Sequence, residues 1–295
     1  MSYQFVEQLH KKAVPVVHLC RVLGVSRSGY YGARQRAKLA PKVCLVSTQL
    51  KAEFAASGNV YGSRRLCAVL RAQGLRIGRH RVRRLMCENR LRALWRRKFV
   101  HTTDSGHALP VWDNLLARRF NPSGPNQAWV SDITYIRTRS GWLYLAVVLD
   151  LYARKVVGWA MAPTMHAELV CAALQLAIAQ RQPTPGLIVH SDRGSQYASA
   201  LHQALLARHS LVGSMSRKGN CWDNAVMERF FLSLKTERVW QRDYANHAEA
   251  MTDIADYIVG FYNSVRLHSK LGNLPPNAFE QQSATTQPIF VSEKT

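Results

Sequence analysis

Three acidic residues lie in or beside apolar segments, where a charged side chain is costly unless it has a partner. Asp132 lies inside the apolar run 128–138, and Asp192 follows the short apolar run 187–190. Glu228 lies in a segment whose apolar residues recur at helical spacing, so it flanks a buried stripe. If these three elements meet in the fold, their carboxylates can converge on one site.

Converging carboxylates repel one another unless a cation lies between them. A ligand set made of oxygen atoms suits Mg²⁺ or Mn²⁺, and two such ions about 4 Å apart support displacement at a phosphodiester. A single acid at a strand end or helix start is more often a cap or turn residue, which is how we interpret Asp150 and Asp223. Together, the other three acids predict metal-dependent chemistry on nucleic acid.

The predicted helix that carries Glu228 places two more polar residues on the same flank. At 100° per residue, Asn224, Glu228 and Lys235 fall within about 40° of one another. Lys235 lies roughly 10 Å further along the helix axis, where it is expected to reach a DNA phosphate. His190 is interpreted as a packing residue or a support for the site, because two-metal phosphoryl transfer needs no imidazole base.

The elements that must position these residues follow from the hydrophobic pattern. Three runs rich in β-formers come first, and helices then alternate with two short strands. The predicted strands are 128–138, 142–149, 155–161, 187–190 and 211–214, and the predicted helices are 167–180, 198–209, 223–240 and 248–263. This order predicts an α/β domain with a ribonuclease-H-like mixed five-stranded sheet flanked by helices.

Charge is distributed unevenly along the 295 residues. The chain has 40 Lys and Arg against 18 Asp and Glu, for a net charge of +22. Residues 1–126 carry +19 of this excess, and residues 127–295 carry only +3. Such a charge favours a polyanionic partner, with nucleic acid ahead of an anionic membrane. The asymmetry indicates an N-terminal half that binds the polyanion, followed by a C-terminal half that carries the chemistry.

The basic half reads as two helical pairs. Residues 14–23 and 26–36 flank Gly24, with Ser26 as the predicted N-cap of the second helix, a weak helix-turn-helix signal. Residues 61–98 give a stronger signal. A helix with Ser63 as its predicted cap and a second helix from about Arg79 carry arginine on their polar faces, and the whole segment has one acid. Counterion release favours DNA binding there. The predicted DNA contacts in this segment are Arg64, Arg65, Arg79, Arg83 and Arg84.

These patterns divide the chain into five parts. The predicted parts are an N-terminal helical region at 1–60, a basic helix-turn-helix region at 61–100, a linker at 101–126, a ribonuclease-H-like core at 127–282 and a tail at 283–295. No apolar run is long enough to cross a bilayer. Six scattered cysteines without a C-x-x-C pair predict reduced thiols, so we expect a cytoplasmic protein that is not associated with a membrane.

The carboxylate-bearing blocks resemble those of a known family. WVSDITYI, HSDRGSQY and DNAVMERFFLSLKTE are similar to the three catalytic blocks of DDE transposases and retroviral integrases, with 35 residues between Asp192 and Glu228. YGSRRL, GNCWDNAVMERFF and FYNSVRLHSKLGNLPPNAF carry a closer resemblance, to the OrfB transposase of the frameshift-using bacterial insertion-sequence family, of the insertion-sequence-three type. The resemblance runs from about residue 10 to residue 282.

The resemblance implies a function and a set of partners. Asp132, Asp192 and Glu228 would form the DDE triad and hold Mg²⁺ or Mn²⁺, as two ions, for DNA cleavage and strand transfer. Lys235 and Asn224 would approach the DNA near the scissile phosphate, and segment 61–98 would bind the terminal inverted repeats or flanking DNA. Target DNA, a homo-oligomer on DNA, and OrfA or an OrfA fusion are the other implied partners. The chain itself has no heptad repeat and no zinc module of the integrase type.

Two other functions fit the same residues. A metal-dependent nuclease or resolvase of this fold would cut without joining, and hydrolysis and joining use the same carboxylates. A DNA-binding regulator with an inert α/β domain is less consistent with three intact acids. The family motifs favour the transposase.

Overall fold

The computed structural model describes residues 2–11, 14–38, 45–94, 112–217 and 224–286. The chain forms two compact units, residues 1–52 and residues 53–295. In the first unit, α1 (Ser2–His10), α2 (Val16–Val22) and α3 (Arg27–Lys38) pack around a small apolar cluster. The Ser26 hydroxyl accepts a hydrogen bond from the Gly29 amide at 3.0 Å, which confirms Ser26 as the cap of α3. Helix α4 (Leu45–Ala56) spans the division between the units.

The second unit begins with the basic helical pair, α5 (Ser63–Ala72) and α6 (Arg79–Glu88). Leu66, Leu70 and Val82 are fully buried, which is the pattern expected from their helical spacing. The predicted Ser63 cap is wrong, since Gly62 holds the N-cap position and Ser63 is the first helical residue. Residues 95–100 of the predicted helix-turn-helix region, with Arg96, Arg97 and Lys98, lie outside the described residues.

A mixed five-stranded sheet forms the centre of this unit, in the order β3-β2-β1-β4-β5. The strands are β1 (Ala128–Thr138), β2 (Gly141–Asp150), β3 (Lys155–Ala162), β4 (Ile188–Ser191) and β5 (Val212–Met215). The first three strands are antiparallel neighbours, whereas β1–β4 and β4–β5 pair in parallel. The predicted sheet is confirmed in strand number, mixed pairing and flanking helices.

Helices cover both faces of the sheet. One face packs against α7 (Ala167–Arg181) and α8 (Ala200–Arg208). The other packs against α9 (Ala225–Glu237) and α10 (His247–Asp256), and a short 3₁₀ turn at Val239–Gln241 joins those two helices. These two apolar clusters form the core of the unit. The described part of the chain ends with a 3₁₀ turn at Ser269–Leu271 and α11 (Pro276–Thr286).

The helix predicted at 248–263 changes character halfway. Helix α10 ends at Asp256, and a π-helix spans Tyr257–Asn263. The Asn263 side chain accepts from the Val156 amide at 3.0 Å and donates to the Val156 carbonyl at 2.9 Å. It therefore satisfies backbone groups of the edge strand β3, a long-range contact that helical periodicity does not reveal.

The predicted linker is only partly covered by the structure. Residues 101–111 lie outside the described part of the chain. Residues 112–126 contain neither helix nor strand, and the Leu115 and Leu116 amides donate to the Ser214 hydroxyl on β5. In the described ranges, no helix has the length and apolar character needed to cross a membrane. The predicted domain boundaries remain predictions.

Candidate active site

Asp132 lies near the middle of β1, the central strand of the sheet. It follows four buried residues of the strand, and it pairs in register with Val147 of β2. One carboxylate oxygen accepts a hydrogen bond from the Ile133 amide at 2.8 Å. The strand therefore places this half-buried acid just beyond the carboxyl end of the parallel β1–β4 pairing.

Asp192 reaches the same edge of the sheet from the neighbouring strand. Val130 of β1 pairs with His190 of β4, so continuing the parallel register by two residues brings Asp132 level with Asp192. The Asp192 carboxylate accepts from the Gly194 amide at 3.0 Å, which fixes the turn after β4. The expectation that Asp192 follows a strand end is confirmed, because β4 ends at Ser191.

Glu228 approaches from the helical layer. It lies in the first turn of α9, whose residues Met227, Phe230 and Leu234 are buried in the core beneath the sheet. Packing of this apolar face leaves Glu228 half-buried on the flank of the helix. Three separate elements thus supply the three acids, as expected from the sequence.

The acids share one electrostatic environment. Burial raises the pKa of Asp132 well above its ordinary value, and the charges of Asp192 and Glu228 raise it further. The negative charges of two neighbouring carboxylates make ionisation of a third carboxyl group unfavourable. A cation bound among the three would offset this repulsion, so such a group is a natural cation ligand. Within the described ranges, however, no three acidic, histidine or cysteine side chains already form a group that could hold a metal ion.

Lys235 is buried rather than exposed along α9. Its side-chain nitrogen lies 4.5 Å from the centre of the Tyr135 ring, a cation–π contact made beside β1. Burial lowers the pKa of Lys235, and the negative charge of Asp132 acts in the opposite direction. The structure therefore brings this lysine into the field of Asp132, and its predicted contact with DNA stays a prediction.

Asn224 holds the N-cap position of α9 and is 6% exposed. Its side chain makes no capping hydrogen bond, and neither its amide nitrogen nor its amide oxygen has a partner among the residues described. Because buried polar groups are normally satisfied, this amide is available to a ligand one turn before Glu228. Asp223, the residue expected to cap the helix, lies outside the described residues.

The predicted DNA-binding arginines do not all share one surface. Four of them are exposed on α5 and α6, namely Arg64, Arg79, Arg83 and Arg84. Arg65 is half-buried instead and lies 3.9 Å from Glu237 at the end of α9. Exposure of the first four is compatible with phosphate contacts, while Arg65 also connects the helical pair to the core.

The sequence analysis missed Tyr197. This tyrosine is buried, and its hydroxyl lies 3.0 Å from the Ser131 hydroxyl. Burial raises its pKa, and the charges of Asp132 and Asp192 contribute. Its position inside the HSDRGSQY block was the available signal. His190 is buried between the Ser214 and Ser216 hydroxyls, which confirms that it packs and supports the strands.

Comparison with known families agrees with this architecture. An HTH-like domain family matches residues 45–99, which include α5 and α6. Two integrase core domain families match residues 122–221 and residues 211–276. The matched ranges include the sheet, the three acids and α9.

Curated relatives match nearly the whole chain. The transposase InsF for insertion sequence IS3A of Escherichia coli (strain K12) is 43% identical over 287 residues, which cover 96% of this chain and 99% of the relative. The insertion element IS600 uncharacterized 31 kDa protein of Shigella sonnei is 44% identical over 275 residues, covering 90% and 98%.

Solved structures give more distant likenesses. A simian T-cell lymphotropic virus intasome bound to the PP2A regulatory subunit B56 gamma includes a chain 16% identical to this one, with a TM-score of 0.48 and coverage of 76% and 71%. The HTLV-2 integrase catalytic core domain in complex with magnesium (dimeric form) is 15% identical, with a TM-score of 0.41 and coverage of 54% and 98%. On the strength of the curated relatives, the chain belongs to the IS3 family of transposases, which act in DNA transposition.

Proposed function

We propose that this transposase cleaves the ends of its insertion sequence and joins them to target DNA, with Asp132, Asp192 and Glu228 as the catalytic DDE triad. The observation that carries the proposal is the placement of the three acids: Asp132 and Asp192 follow the paired segments of neighbouring parallel strands, and Glu228 lies in the first turn of the helix packed on the sheet. The raised pKa of Asp132 agrees with this placement, since burial raises it and the charges of Asp192 and Glu228 add to the effect. Three acids within one another's field are unfavourable by themselves, and a divalent cation removes that cost.

The residues present fit Mg²⁺ or Mn²⁺, as two ions. The donors are carboxylate oxygens, which these hard cations prefer. The buried Asn224 amide, which has no partner among the described residues, lies one turn before Glu228 on α9 and offers a further polar contact. Because the described side chains do not form a ready-made cage, we expect the three carboxylates to draw together once a cation neutralises them. When bound, the ions would activate the attacking oxygen and stabilise the leaving oxygen of the phosphodiester.

Residues of the chain itself would hold the DNA. The exposed arginines of α5 and α6, Arg64, Arg79, Arg83 and Arg84, are suited to phosphates of the terminal inverted repeats. Lys235 and Asn224 would act closer to the scissile phosphate, and Arg65 would hold the helical pair against the core. Joining two ends to one target requires a homo-oligomer on DNA, and OrfA or an OrfA fusion is the proposed protein partner.

Strand-transfer assays with the full-length chain test this proposal. Asp132→Asn, Asp192→Asn and Glu228→Gln should each lower strand transfer by at least about a hundredfold in Mg²⁺, since each removes a ligand of ions that supply several kcal/mol of transition-state stabilisation. DNA binding in EDTA should be unchanged. Asp243→Asn is the matched control, because Asp243 is an exposed acid paired with Arg139. Wild-type joining by any of the three triad variants would refute the assignment.

A further inference from the structure

A basic pocket lies on the flank of α9 that carries Arg229, about 100° around the helix from Glu228. Its volume is about 470 Å³, within the range of ligand sites. Helix α5, the β2–β3 turn, the start of α9 and the segment after the π-helix all contribute to its walls. Its cationic lining residues are Arg65, Arg154, Arg229, Arg266 and Lys270.

The lining has more positive charge than the neighbouring acids can balance. Among the described residues that line the pocket there is no Asp or Glu. Behind it, Glu237 accepts hydrogen bonds from Arg266 at 2.6 and 2.7 Å, and it also lies 3.9 Å from Arg65. One buried carboxylate therefore lies beside two arginines, and its short hydrogen bonds come from Arg266 and from the Tyr257 hydroxyl, not from Arg65.

Arg154 provides a second, independent indication of a ligand. One end of its guanidinium donates to the Phe120 carbonyl at 2.7 Å. The other terminal nitrogen, Nη1, is buried and has no hydrogen-bond acceptor in the part of the chain that the structure describes. Leaving a charged donor buried and unsatisfied is expensive, so the site favours an anion that can accept from it.

The remaining two cations are accessible from solvent. Arg229 and Lys270 are both exposed, on α9 and on the 3₁₀ turn respectively. His268 also lines the pocket, but burial and the nearby arginines lower its pKa to about 3, so it remains neutral at ordinary pH. The permanent charge of the pocket therefore comes from arginine and lysine, the residue types that bind phosphate.

We infer that the basic pocket binds a backbone phosphate of DNA, as an anchor separate from the triad and from the exposed face of α5 and α6. The inference rests on the proposed function only in taking DNA as the ligand. A phosphate held here would place the duplex against both the helical pair and α9, since Arg65 and Arg229 belong to those two elements.

A methylphosphonate scan tests the inference with the full-length chain in EDTA, where no cleavage occurs. A duplex carrying the terminal repeat is prepared as a series, each member with one neutral methylphosphonate in place of one phosphate. For the wild type, one position should weaken binding by about tenfold, the loss of one charge-assisted hydrogen bond. For Lys270→Glu, DNA affinity should be about tenfold lower without any methylphosphonate, and neutralising that same position should weaken binding by clearly less than tenfold, because one of the cations around the phosphate has been replaced.

Arg208→Glu is the matched control, because Arg208 is exposed on α8 and makes the same change in charge. In this control variant, the methylphosphonate at the position identified with the wild type should still weaken DNA binding by about tenfold. The slope of log affinity against log salt should fall by about 0.9 in Lys270→Glu relative to this control. If the two variants lost the same amount of DNA affinity at every methylphosphonate position, the inference would be overturned.

A small anion is the competing source of the same chemistry. If inorganic phosphate raised the melting temperature of the wild type but not of Lys270→Glu, while the scan showed no coupled position, the pocket would bind free phosphate and the DNA anchor would be refuted. Failure of the triad assignment would leave this experiment unaffected, because it measures binding without metal ions.

Discussion

Asp132 and Lys235 are both ionisable side chains in or beside the core, and the charge of each shifts the pKa of the other. The negative charge of Asp132 supports the protonated form of Lys235, while burial works against it. In turn, Lys235 lowers the pKa of Asp132 against the effects of burial and of two neighbouring acids. A lysine held over Tyr135 in this way costs desolvation energy that a purely structural residue would avoid.

Replacing Lys235 separates a role in stability from a role in function. Lys235→Met keeps the length and apolar stem of the side chain, and Asp132 can take up a proton when the lysine charge is lost. We therefore expect a free energy of unfolding within about 1 kcal/mol of the wild type, together with strand transfer lowered by about tenfold or more.

Urea unfolding and a strand-transfer assay measure the two quantities. Lys51→Met on the exposed face of α4 is the control for the change of residue type and should leave both unchanged. A Lys235→Met variant that joins DNA normally but unfolds much more easily would show that Lys235 is structural and not part of the site.

At the scale of elements, the packing of α7 on the sheet depends on a glycine in β3. Gly158 lies in β3, and a Cβ added there would come within 2.2 Å of the Ala173 carbonyl oxygen and 2.7 Å of the Ala177 amide. Both of those groups are backbone atoms of α7, so no side-chain rotation can relieve the clash. Only glycine permits this close approach of helix and strand.

Gly158→Ala should therefore reduce the free energy of unfolding by about 3 kcal/mol, because overpacking forces backbone movement. Gly78→Ala is the control: Gly78 has negative φ and open space around it, and its replacement should cost less than about 1 kcal/mol. Chemical denaturation of both variants checks the comparison. A Gly158→Ala protein as stable as the control would mean that α7 does not pack on β3 at this distance.

Local patterns in the sequence were sufficient for the strands and most of the helices of the core. The β1 boundaries at Ala128 and Thr138 and the start of α7 at Ala167 match their predictions, because alternation and helical periodicity are properties of nearby residues. The helix that carries Glu228 is shorter at both ends than predicted, since it spans Ala225–Glu237 and not 223–240. Long-range contacts decide such boundaries, as the Asn263 contact with β3 does for the π-helix.

The same distinction applies to the site. The three acids could be predicted because each is an unusual residue type in its own segment. The burial of Lys235 and the role of Arg65 could not, since both depend on elements distant in sequence: Tyr135 on β1 and Glu237 at the end of α9. Helical periodicity predicts the direction in which a side chain points, but not the residues of other elements that it contacts.

For the molecule as a whole, the basic helical pair and the catalytic core belong to one compact unit, residues 53–295. Tyr61, just before α5, connects them. Its hydroxyl donates to the Val265 carbonyl at 3.2 Å and accepts from the Leu267 amide at 2.9 Å. These contacts lie more than 200 residues apart in sequence, so they should make the pair and the core unfold together.

Tyr61→Phe removes both hydrogen bonds and should lower the free energy of unfolding by about 1.5 kcal/mol. Hydrogen exchange of the α5 amides should accelerate more than that of the β1 amides, because the helical pair loses its attachment while the sheet does not. Tyr152→Phe, in which the ring contact with Phe279 is kept, is the control. Unchanged exchange in α5 of the Tyr61→Phe protein would contradict the coupling.

The central claim is that Asp132, Asp192 and Glu228 hold divalent ions. Anomalous diffraction at the manganese absorption edge, from crystals of the full-length chain bound to a terminal-repeat duplex and soaked in Mn²⁺, tests it most directly. Anomalous peaks are expected within about 2.5 Å of carboxylate oxygens of all three residues, and they should be lost in Asp132→Asn crystals. Manganese bound elsewhere, with no peak among these three side chains, would contradict it.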